Sequence, residues 1–210
     1  MLTFPASSAP EPDSLRTRES LLSRLREWDN AAEWRVFFDT YWRLIFNFGR
    51  KSGLSEPDAQ DLVQEVMVSM AKKLPAFTYD RTKGRFRNWL LLIVRSRLTD
   101  HWRKNLNKQL RTVSTEDDPA ALTENAVEPD VERLWDEEWR THLLDGAFAR
   151  LRRRVPARHF MLFEMAARQG LALNKVAASL GVGLTHAYVI RHRLNKMLRE
   201  EVRRTEEGGL

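Results

Sequence analysis

Apolar residues recur along this chain at helical spacing. From Leu15 to Lys73 they fall three and four apart, as in Phe37, Tyr41, Leu44, Ile45 and Phe48, which places them on one helix face. Gly53 stands just past that stretch, where a helix end wants a left-handed residue. Ser55 then offers an N-cap to a second helix, with Pro57 near its first turn and Asp58 within it. That helix would turn Leu62, Val66, Met67, Met70 and Leu74 inward and end before Pro75. A short loop containing Gly84 leads into a long helix from about Phe86 to Lys104. β-branched alternation is absent throughout, so the fold class expected is all-α.

Residues 114–129 break the pattern: they are polar and acidic, with Pro119 and Pro129. Apolar stripes resume beyond them, first Leu134, Trp135, Leu143, Leu144, Phe148 and Leu151, then Phe160, Leu162, Phe163 and Ala166 after Pro156. The expected organisation is a loose Pro/Ser-rich tail at 1–14, a helical domain at 15–112 and a flexible acidic linker at 113–131. A second helical domain at 132–204 and a frayed tail at 205–210 complete it.

Composition narrows the function by exclusion. The chain has 210 residues, 42% hydrophobic and 30% charged, which suits folded domains. With no cysteine there are no disulfides, thiolate metal sites or cysteine nucleophiles, and five scattered histidines suggest no metal site and no cofactor. The segment MLTFPASSAPEPDS has neither the basic nor the apolar region of an export signal, and the apolar run WLLLIV at 89–94 is far too short for membrane insertion. A cytoplasmic protein is expected.

The distribution of charge says more than the net +6. Between Arg81 and Arg111 stand ten Lys/Arg and one acid; between Ser114 and Trp139 stand ten Asp/Glu and one base. Basic character returns at Arg150–Arg158 and again from Arg191 to Arg204. Such an order fits two nucleic-acid-facing modules joined by a tether that repels the same ligand, or else solvated helix faces that happen to cluster.

Three segments carry candidate chemistry. In LALNKVAASLGVGLTHAYVIRHRLNKML, residues 171–198, Val176, Ala177 and Leu180 pack one helix, Gly181 opens a turn, and Ala187, Ile190, Leu194 and Leu198 pack a second. This is a helix-turn-helix pattern, or else a plain helical hairpin, that leaves Thr185, His186, Tyr188, Val189, Arg191, His192 and Arg193 on or near the outer side. The second segment sets Phe77, Tyr79, Arg81, Lys83 and Arg85 in or around a glycine loop, followed by Phe86, Arg87 and Trp89. Cations interleaved with aromatic rings can hold an unstacked single strand, although Phe86 and Trp89 also read as core. Arg97, His101 and Lys104 follow on one helix face, with Arg103 beside them. The third segment aligns Asp58, Asp61 and Glu65, with Gln64 adjacent, as an acidic face. Lacking a histidine or further acid to make it catalytic, that face reads as a docking surface for a basic partner or as plain solvated surface.

The runs AQDLVQEVMVSMAKKLPAF and KGRFRNWLLLIVRSRLTDHWRK, followed by the helix-turn-helix after PARHFMLFEMAARQG, resemble the sigma-70 family of bacterial RNA polymerase initiation factors, in the compact extracytoplasmic-function (ECF) class. The resemblance covers roughly 33–104 and 134–200. It implies two helical domains, a sigma domain 2-like bundle and a sigma domain 4-like helix-turn-helix, with core RNA polymerase, promoter DNA and an anti-sigma factor as partners.

Position by position, the resemblance puts Asp58, Asp61, Gln64 and Glu65 where the family docks on polymerase. The loop Phe77–Arg85 corresponds to the capture of a flipped −10 base, and Phe86, Arg87 and Trp89 to the start of the melting helix. Arg97, His101, Arg103 and Lys104 would follow the −10 DNA, and Thr185–Arg193 would read the −35 groove. Ser96 stands where the family often has Asn, and THAYVIRHR departs from the common TVKSRLHR-like form. Both departures bear on promoter sequence and not on class.

No residue is assigned a catalytic role, and the chain is not expected to be an enzyme. A stand-alone helix-turn-helix regulator would account for 171–198 but leaves the acidic helix and the basic aromatic loop without a task. A tyrosine recombinase fails on order, since Tyr188 precedes the Arg191–Arg193 cluster, and a serine recombinase fails for want of strands.

Overall fold

The structure, a computed structural model, describes residues 31–74, 86–112 and 130–207. Among them are seven α-helices and no strand: α1 (Ala31–Lys51), α2 (Glu56–Lys73), α3 (Phe86–Thr112), α4 (Val131–Arg154), α5 (Ala157–Ala167), α6 (Leu173–Ser179) and α7 (Leu184–Glu207). The tail at 1–14, the loop at 75–85, the linker at 113–129 and the last residues at 208–210 lie outside the described residues. The chain divides into two compact units, whose described parts are 31–112 with 130–140, and 141–207.

In the first unit α1 buries Phe37, Tyr41, Leu44, Ile45 and Phe48, the residues its periodicity selects. It ends at Gly53, whose φ of 89° lets the amide of Gly53 bond to Arg50 O (3.1 Å) and that of Leu54 to Gly49 O (3.1 Å). Ser55 then caps α2, its Oγ accepting from the Asp58 amide at 3.2 Å. A Cβ at Gly49 would come within 2.9 Å of a Leu62 methyl, so a side chain there would force Leu62 to shift where the two helices meet. α3 continues to Thr112, two turns past the expected end, and buries Phe86, Leu90, Ile93, Val94 and Leu98.

One boundary differs from the sequence expectation. Residues 132–140, read as the start of the second domain, pack on the first. Trp135 is fully buried with its ring edge-on to Phe48 (5.2 Å), and Trp139 stacks near Tyr41 (6.5 Å). Lys51 pairs with the buried Glu138, and Arg87 with Asp136. An acidic segment rich in tryptophan meets a helix surface carrying aromatic rings and cations, a match that sequence periodicity cannot reveal because it says which face is apolar but not which partner it covers.

The second unit closes around Leu151, Phe160, Leu162, Phe163, Leu173, Val176, Ala177, Ala187, Ile190 and Leu194. Phe148 stacks on Phe163 at 5.7 Å at its edge. Arg150 is held by Glu201 (3.0 Å) and Thr205 (2.8 Å), which ties the end of α7 to α4. Leu144, expected in the core stripe of α4, is exposed.

Candidate functional site

Segregation along α7 builds the clearest site. Ala187, Ile190 and Leu194 are buried, whereas Thr185, His186, Tyr188, Val189, Arg191, His192 and Arg193 are all exposed. The turn that launches α7 is fixed from below. Gly181 has φ 59°, the amide of Val182 bonds to Ala177 O (2.8 Å), and the Arg158 guanidinium donates to Leu180 O and Gly181 O, each at 2.8 Å. Arg158, counted above with the basic surface, therefore caps the end of α6.

On the outer side the Arg191 guanidinium lies 5.0 Å from the Tyr188 ring centroid, and His186 meets His159 edge-on at 5.6 Å. Tyr188, Arg191 and His192 line a shallow cleft with Ala166, Ala167 and Asn195. His159 went unnoticed in the sequence because it belongs to α5, outside the helix-turn-helix segment. The result is an exposed strip of cations, imidazoles and one phenol on a packed core, able to donate hydrogen bonds to base edges or phosphates.

On α2, Asp61 and Gln64 are exposed as expected. Asp58 is half-buried and its carboxylate accepts from the Ser55 hydroxyl at 2.6 Å, so it is part of the cap as much as of the surface. Glu65 faces α3, with Lys104 Nζ at 3.3 Å and His101 Nε2 at 3.5 Å. A groove beside them is lined by Gln64, Glu65, Val68, Ser69, Lys72, Lys73 and Arg97. Val68 is an exposed apolar member that the acidic pattern did not single out.

Along α3 the expected nucleic-acid strip is rearranged. Phe86 is fully buried among Phe37, Tyr41 and Trp89, so it is a core residue. Trp89 is half-buried. His101 is only 5% exposed, which corrects its placement on an outer strip. The spacing that aligns Arg97, His101 and Lys104 turns them toward α2, where Arg97 Nε donates to Ser69 Oγ at 3.0 Å. Arg87 is engaged by Asp136. The outward residues are instead Asn88, Leu92, Arg95, Ser96 and Arg103, with the Lys104 ammonium at the margin. The unbroken apolar run WLLLIV conceals this, because it gives no sign that Leu92 points out. Phe77, Tyr79, Arg81, Lys83 and Arg85 lie outside the described residues.

Among the described residues no group of three or more His, Asp or Glu is placed to hold a metal ion, and no helix is long and apolar enough to cross a membrane.

Residues 37–107 match the family model described as Sigma-70 region 2. The chain is also 32% identical over 164 residues to the ECF RNA polymerase sigma factor SigF of Caulobacter vibrioides, an alignment that covers 78% of this chain and 82% of that protein.

Proposed function

The chain belongs to the sigma-70 family of RNA polymerase sigma factors, in its extracytoplasmic-function class, and from that premise we propose how its surfaces are used. The exposed part of α2, centred on Asp61 and Gln64 with Val68 beside them, docks on core polymerase. The outward face of α3, with Arg95, Arg103 and Lys104, and the loop Phe77–Arg85 before it, engage the −10 element and support its melting. The outer strip of α7, Thr185–Arg193, reads the −35 element in the major groove.

The observation that carries this reading is the division of α7 into a buried apolar face and a fully exposed strip of Thr185, His186, Tyr188, Val189, Arg191, His192 and Arg193. A helix with that division, seated behind a glycine turn on a shorter helix, can enter a groove about 12 Å wide without disturbing its own core.

The work is binding rather than covalent chemistry. Extruding a base from the duplex costs a few kcal/mol, which stacking on aromatic side chains and cation–phosphate contacts can offset. Two modest DNA contacts tethered through one polymerase also reinforce each other. The setting is the cytoplasm, where polymerase and chromosome are found, and an anti-sigma factor would act by covering α2 or α7.

The test is retention of the full chain by core RNA polymerase, wild type against Asp61→Arg, followed by promoter-dependent transcription with the retained complex. Retention of the wild type and its loss in the folded variant support the reading. A wild-type chain that ignores polymerase yet binds duplex DNA by itself would replace it with a stand-alone helix-turn-helix regulator.

A further inference from the structure

Two cations on α3 are already occupied within the first unit. Arg87, in the first turn of α3, donates to Asp136, and its guanidinium lies 5.9 Å from the Trp139 ring centroid. Two turns on, Arg95 Nη1 lies 3.8 Å from Glu132 Oε1. Glu132 and Asp136 are four residues apart, so they project from one face of α4. The segment that carries them is anchored independently by the buried rings of Trp135 and Trp139 and by the Lys51–Glu138 pair.

We infer that residues 131–140 form a built-in competitor for nucleic acid, whose Glu132 and Asp136 carboxylates hold Arg87 and Arg95 in place of DNA phosphates until a strand displaces them. The inference rests on the reading that α3 carries promoter contacts.

Charge and exposure support it. A carboxylate, like a phosphate, offers a guanidinium two anionic oxygen acceptors. The side chains of Glu132 and Asp136 are 78% and 46% exposed, so they can swing aside while the tryptophan anchors stay seated. The Arg95–Glu132 pair is exposed at both ends and so individually weak, easily exchanged for a denser row of phosphates, whereas Arg87, 28% exposed, is the more firmly held of the two arginines. The consequence is a threshold: isolated phosphates compete poorly, whereas a strand already held by polymerase and by the outer face of α3 wins.

The experiment measures binding of a fluorescent oligo(dT) 20-mer by the full-length chain at fixed low salt. It compares wild type, Glu132→Gln/Asp136→Asn, the same pair combined with Arg87→Ala/Arg95→Ala, and Arg103→Ala. The expected result is affinity raised about two- to tenfold by neutralising the two acids, with a gain that disappears when Arg87 and Arg95 are also removed. No gain on neutralisation, with Arg103→Ala still weakening binding, overturns the inference and leaves α3 as the DNA surface. A gain that survives removal of both arginines also overturns it, as a nonspecific loss of negative charge. If neither the neutralised pair nor Arg103→Ala changes affinity, the reading of α3 itself falls, and the inference with it.

Discussion

Glu65 on α2 lies 3.5 Å from Nε2 of the buried His101 on α3, with Lys104 Nζ of the same helix 3.3 Å from its other oxygen. The residue that family resemblance gives to polymerase docking is thus also a joint between two helices. Reversing its charge sets an arginine against Lys104, His101 and Arg97. Glu65→Arg is expected to destabilise the first unit by about 1–3 kcal/mol, and Glu65→Gln by less than about 1 kcal/mol. Urea unfolding followed by circular dichroism separates the two, and an equal, negligible effect of both would show that the joint carries no load.

Asp61 is the cleaner probe of docking. It is exposed one turn before Glu65, and surface substitutions of this kind usually change stability by within about 0.5 kcal/mol. Asp61→Arg is expected to keep the wild-type melting temperature while weakening polymerase retention at least about tenfold, an interface effect of about 1.4 kcal/mol. Retention unchanged at matched stability would move the docking surface elsewhere on α2.

What the sequence disclosed and what it hid divide along one physical line. Helix faces set by a residue's own neighbours were legible: the α1 stripe, the Gly53 stop, the Ser55 cap, and the inward Ala187, Ile190 and Leu194 of α7. Long-range pairing was not. Arg97 and His101 share a face with Lys104 as spacing requires, but that face meets α2, and nothing local distinguishes an outward basic strip from one that packs on a neighbour. Trp135 likewise reads as core, correctly, while the unit whose core it completes depends on residues almost ninety positions away in Phe48.

That assignment of Trp135 has a measurable consequence. Trp135→Ala removes a fully buried indole from against Phe48 and Trp139, and is expected to cost about 3–5 kcal/mol. The loss should fall on the first unit, lowering its transition while α7 keeps its affinity for duplex DNA. Hydrogen exchange resolved by segment would reveal this as faster exchange in α1 and α3; faster exchange confined to α5–α7 would contradict the division at residue 140.

On α7, exposure and burial predict opposite phenotypes for neighbours. Arg191→Ala removes an exposed cation and is expected to weaken −35 duplex binding by about 1–3 kcal/mol with stability unchanged. Tyr188→Ala takes away the ring beneath that guanidinium and should give a smaller loss at the same base positions. Ile190→Ala opens the core and is expected to cost about 2–4 kcal/mol of folding stability. Fluorescence anisotropy with matched melting curves distinguishes these, and an Arg191→Ala protein that binds all duplexes like wild type would take that residue off the reading surface.

The far end of α7 is held by charge rather than by apolar packing. Glu201 is 7% exposed and accepts from Arg150 Nε at 3.0 Å and from Arg154, while Arg150 also reaches Thr205 Oγ1 at 2.8 Å. Removing one partner of a buried pair strands the other, so Glu201→Ala is expected to cost about 3–5 kcal/mol, whereas replacing both partners by apolar residues of similar volume can be close to neutral. Glu201→Leu with Arg150→Met should therefore recover most of the stability lost by Glu201→Ala. If it does, the recovered protein tests whether the pair also fixes where α7 sits on α4: −35 affinity restored along with stability would make the pair replaceable packing, and affinity still reduced at restored stability would mean the ionic geometry sets the pitch at which Tyr188 and Arg191 meet the groove.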